Sequence, residues 1–343
     1  MMNETMNSIK NLRLKRRRRF LLVTSVLAVI AFALCCTILM LGNTIYPVKD
    51  VISVLLGEQV KGASFAVGTI RLPRMIAGVF SGFAFGVGGY IFQTMLRNPL
   101  ANPNVIGITA GSSAAAVFCI IVLHASNTVV SIASVAGGLA TVLVIFALSK
   151  GSSFSIGRLI LIGIGIQAML TAAINYFMLI GKTHDIPTAM RWLSGSLNGA
   201  KIENLYPLIL TVCVFVPILI FFGKRLEMLE LGEQAATSLG VDTNKTRFIL
   251  VVSSVLILAL ATATTGPIAF VAFLSGPIAK KLVGVGFSNI IPAGLVGVIL
   301  VLAADLIGQF AFNARYPVGV ITGILGAPYL IYLLIRINRK GDL

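Results

Sequence analysis

An all-α integral membrane protein of about ten transmembrane helices is the fold class this sequence predicts, and three observations predict it. Of 343 residues, 57% are hydrophobic and 11% are charged, a charged fraction about half that of a soluble domain. The apolar residues fall in blocks of about 20, the length that crosses roughly 30 Å of hydrocarbon as a helix. The net charge of +16, from 27 Lys and Arg against 11 Asp and Glu, is scattered between these blocks. It therefore reports orientation and anionic lipid rather than a nucleic-acid surface. A soluble enzyme with one membrane anchor is excluded by the same arithmetic.

Taken in order, residues 1–19 read as a basic cytoplasmic tail carrying Lys10, Arg13, Lys15 and the run Arg16 to Arg19. The apolar stretch from Phe20 to Gly42 is too long for the core of a signal peptide and has no small-residue cleavage pattern after it, so it reads as a retained first helix. Further spans are expected at 74–96, 104–124, 128–149, 156–180, 205–223, 246–264, 267–284, 290–312 and 318–336. Together they make one transmembrane domain over 20–336, followed by a cytoplasmic tail at 337–343. With both ends inside, 19 basic residues fall on the cytoplasmic side and 8 outside, the direction that the positive-inside rule requires. The block at 267–284 contains Gly266, Pro267, Gly276 and Pro277 in or beside it, so a broken helix lining a cavity is expected there.

Within the spans, Gly78, Gly82 and Gly86 recur every four residues and leave one helix face almost bare, which marks either close intramolecular packing or a helix beside the translocation path. Asp305 is the one acid that falls inside a span, as a structural carboxylate or a group shaping the path. Ion-coupled carriers need several membrane acids as relays or ligands, so their scarcity argues against a secondary transporter. Gln93, Gln167, Asn175 and Gln309 are neutral polar groups suited to bridging helices or lining a water-filled route. Cys35, Cys36, Cys119 and Cys213 show no metal or disulfide spacing and read as small buried side chains; His124 and His184 read as isolated. Metal ligands are not expected.

The longest cytoplasmic connection, from Glu227 to Val241, is too polar to cross a bilayer. Its pattern predicts a short helix ending near Leu239 with Gly240 as a left-handed cap. Leu226, Leu229, Leu231, Ala235, Ala236 and Leu239 beside exposed acids give it the amphipathic character of a surface that docks in a partner's groove. Nothing in the chain resembles a phosphate-binding glycine loop with lysine or a nucleophile motif. Powered transport therefore requires ATP hydrolysis on another subunit, and no cofactor is expected on this chain.

Several segments, in order, resemble the permease subunits of type II ABC importers, which take up ferric siderophores, haem and vitamin B12. They are Arg71-Leu-Pro-Arg74; Gly89 through Gln93 with Arg97-Asn-Pro-Leu-Ala-Asn-Pro103 and Gly107; Arg191-Trp-Leu-Ser-Gly-Ser-Leu197; Leu231-Gly-Glu with Ala236 through Leu239-Gly-Val241; Gly266-Pro-Ile-Ala-Phe-Val271; and Pro317-Val-Gly-Val-Ile-Thr322 with Gly326-Ala-Pro328. The resemblance implies ten helices per subunit in the cell membrane of a prokaryote, two permeases around a central path, two ATPases that carry ATP and Mg, and an external binding protein, with a ferric siderophore favoured over haem or cobalamin. It implies docking of the binding protein on Arg71 and Arg74, and coupling to the ATPase through Glu230, Gly232, Glu233, Ala236, Leu239 and Gly240. Gln93, Asn98 and Pro99 are carried over, with Gly78, Gly82, Gly86 and Asp305, as path or packing residues. The chain departs from the pattern at Gly276-Pro-Ile-Ala-Lys280, where many relatives have Pro-His-Ile-Ala-Arg, at Arg315, where they have an acid, and at Gln309, where some have an arginine. These departures make Arg315 a substitute third docking residue and favour a heterodimer over a homodimer of permeases.

Overall fold

The computed structural model describes residues 2–101, 107–149, 156–284 and 286–340, and among these every regular element is helical. Each expected span coincides with a helix: α1 (Met2–Met40), α3 (Leu72–Met95), α4 (Ile108–Ile121), α5 (Asn127–Ser149), α6 (Ile156–Ile180), α8 (Tyr206–Phe221), α11 (Thr243–Thr265), α12 (Val271–Val283), α13 (Ile290–Phe310) and α14 (Val318–Lys340). Four short helices fill connections: α2 (Val48–Leu55), α7 (Ile186–Leu193), α9 (Gly223–Glu230) and α10 (Glu233–Ser238). Eight helices are long and apolar enough to cross a membrane. α4 and α12, with 14 and 13 residues, rise only about 20 Å at 1.5 Å per residue. Irregular backbone must complete their passage, which the bilayer tolerates only where protein or a cavity covers it.

Three boundaries differ from the expectation. The basic segment is no separate tail, since α1 runs unbroken from Met2 through the arginine run. Arg71 and Arg74 do not stand at a helix start, because a π-helical stretch, Ser64–Arg71, feeds directly into α3. The wide turn at that junction, where the Leu72 N–H reaches back to the Val67 carbonyl, accommodates Pro73, which has no N–H to donate. The interruption expected within 267–284 lies ahead of the helix: α11 ends at Thr265, Gly266 sits at φ +71°, and Phe270 at φ +63° begins α12, which then continues through Pro277.

α3 is the centre of the bundle, packed on α13, α11 and α12. Its glycine stripe explains the closeness. A Cβ on Gly82 would meet the Gly297 carbonyl oxygen at 2.7 Å, and one on Gly86 or Gly89 would drive into the carbonyls of Ala293 or Ala272. Gly294 and Gly297 of α13 answer from the other side, so the stripe is an intramolecular backbone-to-backbone contact of the small-residue kind. A second glycine contact, Gly111 on Gly137, joins α4 to α5, and α6 packs on this pair.

The contacts also define the two ends of the bundle. Arg19 donates to the Lys281 and Leu282 carbonyls, Lys280 pairs with Glu230, and Phe20 stacks on Phe287, so the base of α1, the end of α12 and the α9–α10 segment share one end. At the other end Arg71 and Arg315 reach the end of α1 and the loop after it, and Arg74 of α3 pairs with Asp305 of α13. The residues expected on the inner side thus gather at one end and those expected on the outer side at the other.

Candidate functional site

At the outer end, each candidate docking arginine has a partner within the chain. Arg71 Nη1 donates to the Leu39 and Met40 carbonyls at 3.0 and 2.8 Å, and its Nη2 to the Thr44 carbonyl at 2.7 Å, while its guanidinium carbon lies 5.0 Å from the Tyr46 ring centroid. The cation thus covers the orphan carbonyls at the end of α1, the place where a helix favours positive charge. Arg74 grips Asp305 through Nε at 2.9 Å and Nη2 at 2.7 Å, a two-pronged pair with side chains only 13% and 1% exposed. Gln309, one turn along α13, donates to the same carboxylate at 2.7 Å, and Arg74 Nη1 donates to Asn198 Oδ1 at 3.4 Å. The single membrane acid is therefore a structural anchor between α3 and α13, with its charge balanced. Arg315 is exposed and donates to Asn43 Oδ1 at 2.7 Å.

Near the end of α3 away from Arg74, Gln93 solves a backbone problem. Pro277 cannot donate to the Phe273 carbonyl four residues back, and Gln93 Nε2 donates to that oxygen instead at 2.8 Å. Gly276 makes the room, since any Cβ there would collide with Gln93 Oε1. The two residues work as a pair across α3 and α12 and keep α12 helical past its proline.

At the inner end the connection expected to hold one helix holds two. α9 ends at Glu230, Gly232 turns the chain at φ +116°, and α10 follows, with Leu239 at its end and Gly240 at φ +81°. The expected apolar docking face divides: Leu226, Leu229 and Ala236 are buried against the chain itself, whereas Leu231 and Leu239 are exposed at 69% and 58%. The surface open to a partner is thus Leu231, Gln234, Thr237, Ser238, Leu239 and Gly240. Glu230 pairs with Lys280 at 2.7 Å, and Glu233 with buried Arg247 at 3.1 Å, so α10 is braced on α11 and α9 on α12. Burial, reinforced by the charge of Glu230, raises the Glu227 carboxyl above the usual range. Asn98 and Pro99 lie in the exposed turn after α3, where Asn98 Oδ1 accepts from the Leu100 N–H at 2.8 Å. Neighbouring Arg97 reaches the Gly232 turn, which puts the pair beside the turn between α9 and α10. Asn102 and Pro103 of that motif lie outside the described residues.

Asn175, one of the neutral polar groups suited to bridging helices or lining a water-filled route, lies on an open helix. α6 leaves Gly165, Thr171 and Asn175 exposed, and nothing comes within 4 Å of a Cβ on Gly165. The signal was present, because polar and very small residues recur at helical spacing along an otherwise apolar span. His124 and His184 are also not isolated: both reach Asp185, a convergence that no local pattern could show. The cysteines are all free; Cys119 is buried and Cys213 exposed. Among the described residues no group of three His, Cys, Asp or Glu is arranged to hold a metal ion.

The model of the FecCD transport family matches residues 26–336 of this chain. The chain belongs to the FecCD transport family. Within the family it is similar to the ferric enterobactin transport system permease protein FepG of Escherichia coli (strain K12), with 34% identity over 303 residues, 87% of this chain and 91% of that protein. It is similar to the iron-uptake system permease protein FeuC of Bacillus subtilis (strain 168), with 34% identity over 285 residues, 80% of this chain and 84% of that protein. Among solved structures, an inward-facing metal-chelate type ABC transporter superposes with a TM-score of 0.81 at 24% identity, covering 92% of this chain and 99% of the other. That likeness fixes the fold as the ABC permease fold. As a FecCD protein the chain is a transport permease component and not a catalytic subunit.

Proposed function

We propose that this protein is one half of the membrane path of an ATP-driven importer for a ferric siderophore, in the cell membrane of a prokaryote. The observation that carries the path is the open face of α6. Thr171 and Asn175 are exposed within a membrane-spanning helix, where hydrocarbon would leave the Asn175 amide unsatisfied. They belong against water or a second permease subunit, and the open Gly165 on the same helix leaves room for either. A large neutral-polar chelate needs such a surface, weakly binding at many points. The siderophore class rests on the ferric enterobactin for which FepG is named, and the iron on both FepG and FeuC, the latter named for iron uptake. A heterodimer is favoured because the departures at Lys280, Gln309 and Arg315 resemble those of the second permease in importers built from two different permease chains.

The two ends then have separate tasks. A loaded binding protein docks at the outer end, with Arg315 the arginine most open to an acidic partner and with Arg71 and Arg74 shaping the platform beneath it. Two ATPases, which carry ATP and Mg, receive the exposed residues Leu231 and Gln234 through Gly240. Their closure is passed through the Glu233–Arg247 and Glu230–Lys280 braces to α11 and α12, and the path alternates between the two sides. Reconstitution with the partner subunits tests this: radiolabelled ferric siderophore should enter vesicles only with ATP and binding protein present, and Leu239→Asp should uncouple uptake. Uptake driven by an ion gradient in vesicles holding this chain alone would overturn the proposal.

A further inference from the structure

At the base of α1 two exposed arginines converge on one turn with no acid to meet them. Arg19 donates from Nε and Nη2 to the Leu282 and Lys281 carbonyls at 2.9 and 3.1 Å, which covers orphan carbonyls at the end of α12. Its Nη1 lies 3.5 Å from where a Cβ on Gly284 would stand, and Arg16 Nη1 lies 3.3 Å from where one on Gly286 would stand. Both guanidiniums therefore lie against the α12–α13 connection, where these glycines, at φ +90° and +104°, leave the backbone bare. Among the described residues neither Arg16 nor Arg19 Nη1 has an acceptor, and neither arginine has a carboxylate partner. Acids of the inner end are engaged elsewhere, Glu230 with Lys280 and Glu233 with Arg247, while exposed Lys281 adds a further cation beside the turn.

Like charges three residues apart on a helix share a face and repel, so the cluster is short of an anion. Its depth in the bilayer says which anion. Phe20, stacked on Phe287 at 5.2 Å between centroids, opens the apolar stretch of α1. Headgroups occupy about 5–8 Å on each side of the hydrocarbon. At about 1.5 Å per residue, Arg19 and Arg16 stand about 1.5 and 6 Å outside the hydrocarbon, within that layer, whereas Arg13 and Lys10 lie about 10 and 15 Å out. Leu22 and Val26, three and seven residues on from Arg19, share its helix face and are exposed at 65% and 49%. A cationic pair at phosphate depth thus continues into an apolar stripe, the two halves of a phospholipid's own chemistry. The guanidinium fork matches phosphate oxygens in pairs.

We propose that Arg16 and Arg19, over the Gly284–Gly286 turn, hold the phosphate of one anionic phospholipid of the inner-end leaflet, with its acyl chains along Leu22 and Val26. The lipid then ties α1, of whose apolar window only 17% is buried, to the α12–α13 connection. This is a site and not a diffuse basic surface, because the geometry selects among the arginines. Arg17 is turned about 160° around the helix from Arg19, so it carries the same charge at the same depth without facing the turn.

Native mass spectrometry of the assembled transporter, stripped of lipid and titrated with phosphatidylglycerol, phosphatidylcholine or inorganic phosphate, tests this directly. Phosphatidylglycerol should be retained at least about fivefold more tightly than phosphatidylcholine, and inorganic phosphate at equal concentration should not displace it. Arg16→Gln, which removes no hydrogen bond within the chain, should weaken phosphatidylglycerol retention about fivefold, the scale of one arginine at an anionic surface; Arg17→Gln should weaken it less than about twofold. Equal retention of the two lipids overturns the proposal, and displacement by inorganic phosphate reduces the site to one for a free anion. An equal loss in Arg17→Gln makes the attraction diffuse and likewise overturns it. So does an Arg16→Gln variant that keeps phosphatidylglycerol but releases the ATPase subunits, which would assign the cluster to a protein partner.

Discussion

α3 and α6 have the same mean hydropathy over their apolar windows, yet 72% of the window in the span containing α3 is buried and only 11% of that in α6. Both carry small residues at helical spacing. The difference is what answers them: Gly82, Gly86 and Gly89 of α3 meet backbone from α13 and α12, whereas Gly165 of α6 meets nothing. Hydropathy therefore measures fitness for the membrane, and only reciprocal small residues on a neighbour decide whether a helix becomes core. α6 is left with a face that nothing in the chain covers, the face proposed above for a partner subunit or a path.

The contrast can be broken most severely at its glycines. Gly86→Leu should prevent recovery of folded protein, since its Cβ has no space beside the Ala293 carbonyl, whereas Gly165→Leu should leave the isolated chain monodisperse and impair only assembly or uptake; size exclusion in detergent compares them. If both variants fold equally well, the distinction between core and open helices fails. At the next level, Asp305→Ala leaves Arg74 with an uncompensated, largely buried charge and should destabilise by about 3–5 kcal/mol in denaturant unfolding, with Arg74→Leu/Asp305→Leu closer to the parent.

Smaller effects sharpen the comparison. Gln93→Leu abandons the Phe273 carbonyl that Pro277 freed and should cost about 1–3 kcal/mol. Asn175→Leu on α6 should change stability by no more than about 0.5 kcal/mol yet lower siderophore uptake, measured in the same vesicles. The smallest effect concerns Glu227, whose carboxyl is raised by burial. A carboxyl raised in the folded state binds its proton more tightly folded than unfolded, so its charged form disfavours folding above that range and the penalty fades as pH falls. Glu227→Gln should accordingly raise the thermal midpoint at pH 7.5 more than at pH 5.5.

Much of the fold was legible because hydrocarbon imposes a simple rule. All ten apolar blocks became helices, since a backbone in lipid has no alternative partner for its N–H and C=O groups. The cap at Gly240 and the bare face of Gly78, Gly82 and Gly86 were readable for local reasons, left-handed geometry and missing side chains. The candidate site was less legible where it depended on distant partners. Arg71 and Arg74 were read as free outer charges, yet one covers the carbonyls of α1 and the other holds Asp305, 231 residues away. Leu226 and Leu229 were read as a docking face because amphipathicity does not say which surface, a partner's or the chain's own, covers the apolar side.

By itself the sequence determined that this chain folds as about ten apolar helices suited to a bilayer, and it set an expectation of which way they point. Those properties follow from composition, block length and charge placement, each a sum over local residues. The tertiary structure alone decided which charges are paired, which glycines are filled, and that Gln93 completes a backbone broken by Pro277 on another helix. Pairing and packing are relations between residues far apart in the chain, and a membrane supplies no water gradient between helices to write such relations into hydropathy.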